Sequence, residues 1–432
     1  MLCIGQVVQD CLKHGDMKRL ALMMGFLLVG LSLSSCSTNE SEPRTLLVPG
    51  EFTTIQRAVD EANFGDLVLI SPGVYHEAIK VDRDGVVIRG LNRNDVIIDG
   101  KDDLINGFEI SSNSVAIENL TVRSFRQNGI IFSGALRERG NDYDPYGSES
   151  NSLDGYRVSY VTSYNNGLYG IYAFTSKNGQ IDNSYASGHP DSGLYVGQCS
   201  PCNVVIRSSI AENNAIGYYG TNASTNVWVV ESIFKGNRLG ITPNSQEAEM
   251  LSPQQGATVA ANLVVDNDNR NAPAIPKGFF GGGIVVGGGL SNLVTRNAIS
   301  GHSWAGIAIM PMSKILPMKN RIIENEVQGN GTDLVFVGAP ADTSKNCFSA
   351  NMFSTSAPKN IEKVLSCDAS SSLKETYVYS QPAELDGPSY RDVVAAPEQS
   401  NMPNAAKAPL NLPIGEPQYP SVAELIVPVL KQ

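Results

Sequence analysis

Short apolar runs, rich in β-branched residues and bounded by Asn, Gly and Ser, recur through the middle of the chain. Val115-Ala116-Ile117, Val204-Val205-Ile206, Val227-Trp228-Val229 and Arg321-Ile322-Ile323 are examples. Their composition is that of strands rather than helices. Some way after each run a glycine is followed by a hydrophobic residue. The pairs are Gly107-Phe108, Gly129-Ile130, Gly170-Ile171, Gly193-Leu194, Gly217-Tyr218, Gly240-Ile241, Gly283-Ile284 and Gly306-Ile307. Their spacings are 22, 41, 23, 24, 23, 43 and 23 residues. The two long spacings fit either one turn with an insertion of roughly 20 residues or two turns, one of them degenerate.

A fixed period of this size belongs to a solenoid, in which each unit buries its apolar face only by stacking on its neighbours. Two or three short strands per turn, with no helix between them, predict an all-β fold: a right-handed parallel β-helix. The leucine-rich pattern L-x-x-L-x-L-x-x-N is absent, and a propeller blade needs about twice the length. At about 4.8 Å per coil, roughly nine or ten coils give a rod about 45 Å long. Asn165-Asn166, Asn213-Asn214 and Gly236-Asn237 precede the glycines as turns, where Asn tolerates left-handed backbone and its amide can bond a neighbouring coil.

At the start, Thr53-Thr54-Ile55-Gln56 matches a capping box, and Ile55, Ala58, Val59 and Ala62 form one apolar face of a short helix. That helix is expected to cap the open end of the first coil. The stretch from Thr54 to Asn63, with Gly65-Asp66-Leu67-Val68-Leu69-Ile70-Ser71-Pro72-Gly73-Val74-Tyr75 and Glu77, resembles the opening of pectinesterases and other pectin-lyase-like β-helix proteins. The close resemblance covers about 30 residues, and the repeats extend it loosely to about residue 340. It implies the fold and leaves the reaction open. Gly331-Thr332-Asp333-Leu334-Val335-Phe336 only faintly resembles a pectinesterase motif and lies late in the chain, so esterase chemistry is not expected.

The ends divide the chain further. Met17-Lys18-Arg19 and the apolar run from Leu20 to Leu33 read as a signal peptide, with Met17 as an alternative start. Leu33-Ser34-Ser35-Cys36 resembles a bacterial lipobox, which implies cleavage before Cys36 and acylation of its sulfur. The expected divisions are 1–35 signal peptide, 36–45 linker, 46–368 β-helix and 369–432 a proline-rich extended tail. Ser37 after the cysteine, rather than Asp, points to an outer-membrane lipoprotein of the bacterial envelope. The partner at this end would be the lipid bilayer.

With 32 basic and 43 acidic residues, the net charge of −11 disfavours nucleic acid. A monomer is expected. Four cysteines remain beyond Cys36, in an oxidising compartment. Cys347 and Cys367 are expected to pin the last coil to the tail. Cys199-Ser200-Pro201-Cys202 has no second C-x-x-C or His pair near it, so a structural disulfide is expected rather than zinc.

Candidate chemistry gathers on one strand face. If Ile171, Leu194 and Tyr218 point inward, Tyr172, Tyr195 and Tyr219 point outward as an aromatic strip suited to stacking on sugar rings. Thr175, Gln198 and Asn222 lie three positions on, as a polar row beside it. His189-Pro190-Asp191 precedes the Tyr195 strand and offers a base with an orienting carboxylate. Alginate epimerases of this fold carry Asp-Pro-His-Asp, which the order here matches loosely. His302 occupies the same turn position as His189, which points instead to a structural preference at that corner.

Two insertions, 134–154 and 246–280, are expected to wall the strip. The first carries Asp142 and Asp144, an irregular candidate calcium site; an EF-hand is excluded because Leu153 stands where the bidentate Glu belongs. Met310, Met312 and Met318 with His302 offer a soft set for Cu(I). The sequence thus predicts a surface lipoprotein whose β-helix binds a polysaccharide and modifies it by lyase or epimerase chemistry. The alternatives are a non-catalytic scaffold or adhesion module of the same fold and, behind it, a periplasmic copper-binding maturation factor.

Overall fold

The computed structural model describes residues 42–135, 151–274, 280–338, 345–368, 373, 377–380, 383, 386–409 and 414–430. From β1 (Thr45–Val48) to β33 (Ser356–Ala357) the described residues form a right-handed parallel β-helix with three parallel sheets of 12, 11 and 10 strands, here sheets A, C and B. One coil gives each sheet a strand, as with Val115–Glu118 in sheet A, Thr121–Arg123 in sheet B and Ile130–Ser133 in sheet C. No helix among the described residues is long and apolar enough to cross a membrane.

The residues after the repeat glycines stack in one column of sheet C. Phe108, Ile130, Ile171, Leu194, Tyr218, Ile241, Ile284, Ile307 and Leu334 pair in unbroken register. All are buried inside the coils. Because Ile130 pairs with Ile171 and Ile241 with Ile284, each long spacing is a single turn with an insertion. The glycines recur for a steric reason. A Cβ on Gly170 would meet the Gly193 carbonyl oxygen at 2.5 Å, and one on Gly240 would meet that of Gly283 at 2.5 Å.

The Asn pairs divide their work. Asn165 and Asn213 adopt left-handed φ of 51° and 57°, while the following residue turns inward. These inward residues make a continuous ladder between sheets B and C: Asn166, His189, Asn214, Asn237, Asn267, His302 and Asn330, ending on Asp333. Asp333, the carboxylate of the faint pectinesterase-like stretch, terminates the ladder and accepts from the Ser354 and Thr355 amides at 2.9 Å each. A second ladder, at the corner between sheets A and B, runs through Ser232, Asn262, Asn297, Asn325 and Asn351 to Glu362. Rungs such as Asn237, Asn267, Asn297 and Asn325 each accept both a backbone N–H and a side-chain amide that the dry core would otherwise strand.

The N-terminal helix, Ile55–Asp60, seats Ile55, Ala58 and Val59 on the first coil. Its cap differs from the sequence expectation. Thr54, not Thr53, accepts from the Arg57 amide, and Glu77 of the next coil accepts from the Ile55 and Gln56 amides at 3.1 Å each. Gln56 instead bonds the Lys80 backbone in both directions, at 2.7 and 3.0 Å.

Cys199 is joined to Cys202, and Cys347 in the last sheet A strand is joined to Cys367. The tail residues that are described lie against the coils. Tyr377 bridges Gly338, Ser380 accepts from the Trp304 indole, and Val393 accepts from Asn165. Further on, the carbonyls of Ala405, Ala408 and Pro409 cap Arg89. The chain then crosses the outer face of sheet A, where Leu425 is buried against Val205, Val230, Ala260 and Ala261.

Candidate functional site

Sheet C brings the tyrosines into one column. Tyr172 pairs with Tyr195, Tyr195 with Tyr219, and Tyr219 with Thr242, one position after the inward column and therefore on the outer face. The ring centroids of Tyr172 and Tyr195 are 4.6 Å apart, and those of Tyr195 and Tyr219 are 5.7 Å apart and nearly perpendicular. Sequence reasoning missed a fourth ring. Tyr169 stacks on Tyr172 at 4.4 Å and meets Tyr195 edge-on at 5.2 Å. The signal for it was present, because Tyr169 stands just before Gly170 and register aligns it with Ser192.

The strip is less open than its phase implied. Tyr195 is only 4% exposed, whereas Tyr169, Tyr172 and Tyr219 are half-buried. Gln198 and Asn222, expected to face a sugar, are enclosed instead and hold the second insertion. Gln198 accepts from the Leu251 amide at 3.0 Å. Asn222 accepts from the Gln246 amide at 3.0 Å and donates to the Gln246 carbonyl and to Glu249, both at 2.9 Å. Both amide residues take left-handed φ, which turns them away from the strand face and toward the insertion. The insertion thus brings Glu249 to this face, a carboxyl that sequence reasoning did not select.

His189 is not a surface base. It is fully enclosed as a ladder rung, with Nδ1 2.8 Å from Asn214 Oδ1 and Nε2 3.2 Å from Asn166 Nδ2. Burial pulls its pKa down to about 4, so the ring is neutral at ordinary pH. His302 is held the same way between Asn267 and Asn330, which removes it from any copper set. Met310 is buried, whereas Met318 is exposed.

Asp191 behaves differently from its neighbour. It is 9% exposed, its Oδ1 is buried without a hydrogen-bond partner, and its carboxyl lies against the Tyr169 hydroxyl and Ser192. Burial, the dominant effect, raises its pKa to about 7. Burial also raises the Glu249 carboxyl. Tyr219 feels both carboxylates. Two perturbed carboxyl groups thus flank a partly open cluster of four tyrosines, a combination typical of functional sites. Beside it, Ser152, Lys177, Gln198, Cys199 and Leu251 line a cleft of about 250 Å³. Lys177 brings a cation there, 3.5 Å from Asp154.

Asp142, Asp144 and Cys36 lie outside the described residues. Among the described residues no group of three or more His, Cys, Asp or Glu converges to hold a metal.

No protein-family model matches the chain, and no curated protein matches it. Solved structures do align with it. The A-module of mannuronan C-5 epimerase AlgE6 from Azotobacter vinelandii covers 70% of this chain and 83% of its own, at 14% identity and a TM-score of 0.44. Pectate lyase Pel9A covers 73% and 78%, at 13% identity and 0.44. A mannuronic acid specific family 6 polysaccharide lyase from human gut microbiota covers 72% and 82%, at 13% identity and 0.42. Likeness at this level concerns the coiled path of the backbone, and the chemistry rests on the residues of this chain.

Proposed function

We propose that the protein is a lipoprotein of the bacterial envelope, anchored through acylated Cys36, whose β-helix binds a polysaccharide across the tyrosine cluster of sheet C and modifies it by proton transfer of the lyase or epimerase type. The observation that carries this reading is Asp191, a buried carboxyl with a pKa of about 7 set against the hydroxyl of half-buried Tyr169. A carboxylic acid tuned near neutrality is efficient at passing a proton.

In this arrangement Tyr172, Tyr195 and Tyr219 form the platform, with Tyr172 and Tyr219 presenting partial ring faces to sugar units. The Tyr169 hydroxyl donates to a sugar oxygen, and protonated Asp191 behind it resupplies the proton. Glu249 is the second carboxyl of this face and the candidate proton acceptor. Lys177 in the adjoining cleft offers the positive charge that an acidic sugar needs.

The purified protein should be screened against polyuronates and neutral glycans, reading unsaturated ends for elimination and sugar configuration for epimerisation. Asp191→Asn and Tyr169→Phe should each lower turnover by about 10²-fold or more while leaving the fold intact. His189→Asn should leave turnover unchanged. Because the relay needs protonated Asp191, activity should fall as pH rises through about 7. Wild-type turnover in both Asp191→Asn and Tyr169→Phe would overturn the reading.

A further inference from the structure

The C-terminal segment spans a second hollow, on the outer face of sheet A and away from the tyrosines. On one side Ile414 packs on Leu67, Val87 and Ala116. On the other, Tyr419 stacks on Trp228 at 6.0 Å and Leu425 is buried beside Val205. Between these anchors Gly415 to Gln418 bridge a cavity of about 560 Å³ above Gln180, Asp182, Val205 and Arg207. That volume is within the ~300–1,000 Å³ that small-ligand pockets occupy.

The lining decides what fits. Val205 is the only apolar side chain of the sheet A floor, so an apolar molecule would strand the surrounding amides. Anions are disfavoured as well. Arg207 is already paired with Glu231 at 2.6 Å, and Asp182 and Glu416 add negative charge. An ammonium finds little to pair with. One Asp182 oxygen accepts from Gln180 at 2.7 Å, and the other is buried. Glu416 accepts from the Tyr419 hydroxyl at 3.0 Å. What remains is a mixed ring of neutral donors and acceptors together with the outer nitrogens of Arg207, and hydroxyl groups, which both donate and accept, complement it.

We propose that this cavity is a binding site for a neutral saccharide unit, held by Gln180, Arg207, Ser208 and Gln418 beneath the C-terminal strap. It shares no residue with the tyrosine face, so it stands or falls independently of the function proposed there. A bound sugar would also tie the strap to the coils, since its partners lie on both.

The test is titration calorimetry on the full-length protein with maltotriose, cellotriose and xylotriose, using trigalacturonate and a glucosamine trimer as charged contrasts. At least one neutral trisaccharide should bind the wild type. Gln180→Trp, which fills the floor, should weaken it about tenfold or more, the worth of one or two hydrogen bonds and the lost space. If Gln180→Trp fails to fold, Gln418→Ala on the strap should still weaken binding several-fold. A cavity holding water alone, with no neutral sugar bound, would overturn the proposal. So would preference for either charged trimer, or undiminished binding in a folded Gln180→Trp or in Gln418→Ala.

Discussion

At the scale of single residues, His189 and His302 take ladder positions that asparagine fills on neighbouring coils, and this makes the fold acid-sensitive. Each ring has a pKa lowered from 6.5 to about 4 by burial. Between those values the unfolded chain binds protons that the folded chain refuses, so stability falls as pH drops from about 6.5 to 4. The loss is on the order of 3 kcal/mol for each histidine. His189→Asn keeps the rung and removes the titration. It should therefore raise the melting temperature relative to wild type at pH 5 and leave it nearly unchanged at pH 8, as calorimetry at the two pH values would show. Asp191 works in the opposite sense. Its raised pKa means that stability declines as pH climbs from about 4 to 7, and Asp191→Asn should flatten that decline. The ladder was half legible in the sequence. The Asn pairs and the parallel placement of His189 and His302 pointed to a shared corner, but which member of each pair turns inward depends on left-handed φ at the first.

At the scale of elements, one inward column in sheet C governs the register of everything else. Ile171→Asp or Ile284→Asp would put an unpaired charge into a fully buried position and should cost several kcal/mol, measurable by denaturant unfolding. Wild-type unfolding in either variant would contradict the assigned pleat. The glycine spacing made this column readable in advance, because each glycine sits where a neighbouring carbonyl or, at Gly193, the Asn214 side chain leaves no room for a Cβ. The second insertion was not readable in the same way. Its length was evident, but its path depends on side-chain bonds from Gln198 and Asn222, which the spacing alone cannot assign to an insertion rather than to a ligand. For that reason the strip's direction was legible and its degree of cover was not.

At the scale of the whole molecule, the tail and the coils share a buried ionic cluster. Glu118 is fully enclosed between Arg89 at 2.7 Å and Arg157 at 2.7 Å, and Arg89 is completed by three tail carbonyls. Removing the anion takes the buried counterion from Arg89, so Glu118→Ala should cost about 3–5 kcal/mol. Limited proteolysis should show the tail cut earlier in that variant. The proposed anchoring belongs to this scale too: if it holds, Cys36→Ser should move the protein out of the membrane fraction. The central claim, a polysaccharide bound on the tyrosine face, is tested most directly by glycan affinity and melting temperature measured together on Tyr172→Ala/Tyr219→Ala. Both rings are half-buried and reach the surface, while Tyr195, the buried one, is left in place. The account predicts a variant that melts within a few degrees of wild type and binds the glycan about tenfold or more weakly, at roughly 1 kcal/mol for each stacked ring. A folded variant with undiminished affinity would contradict it.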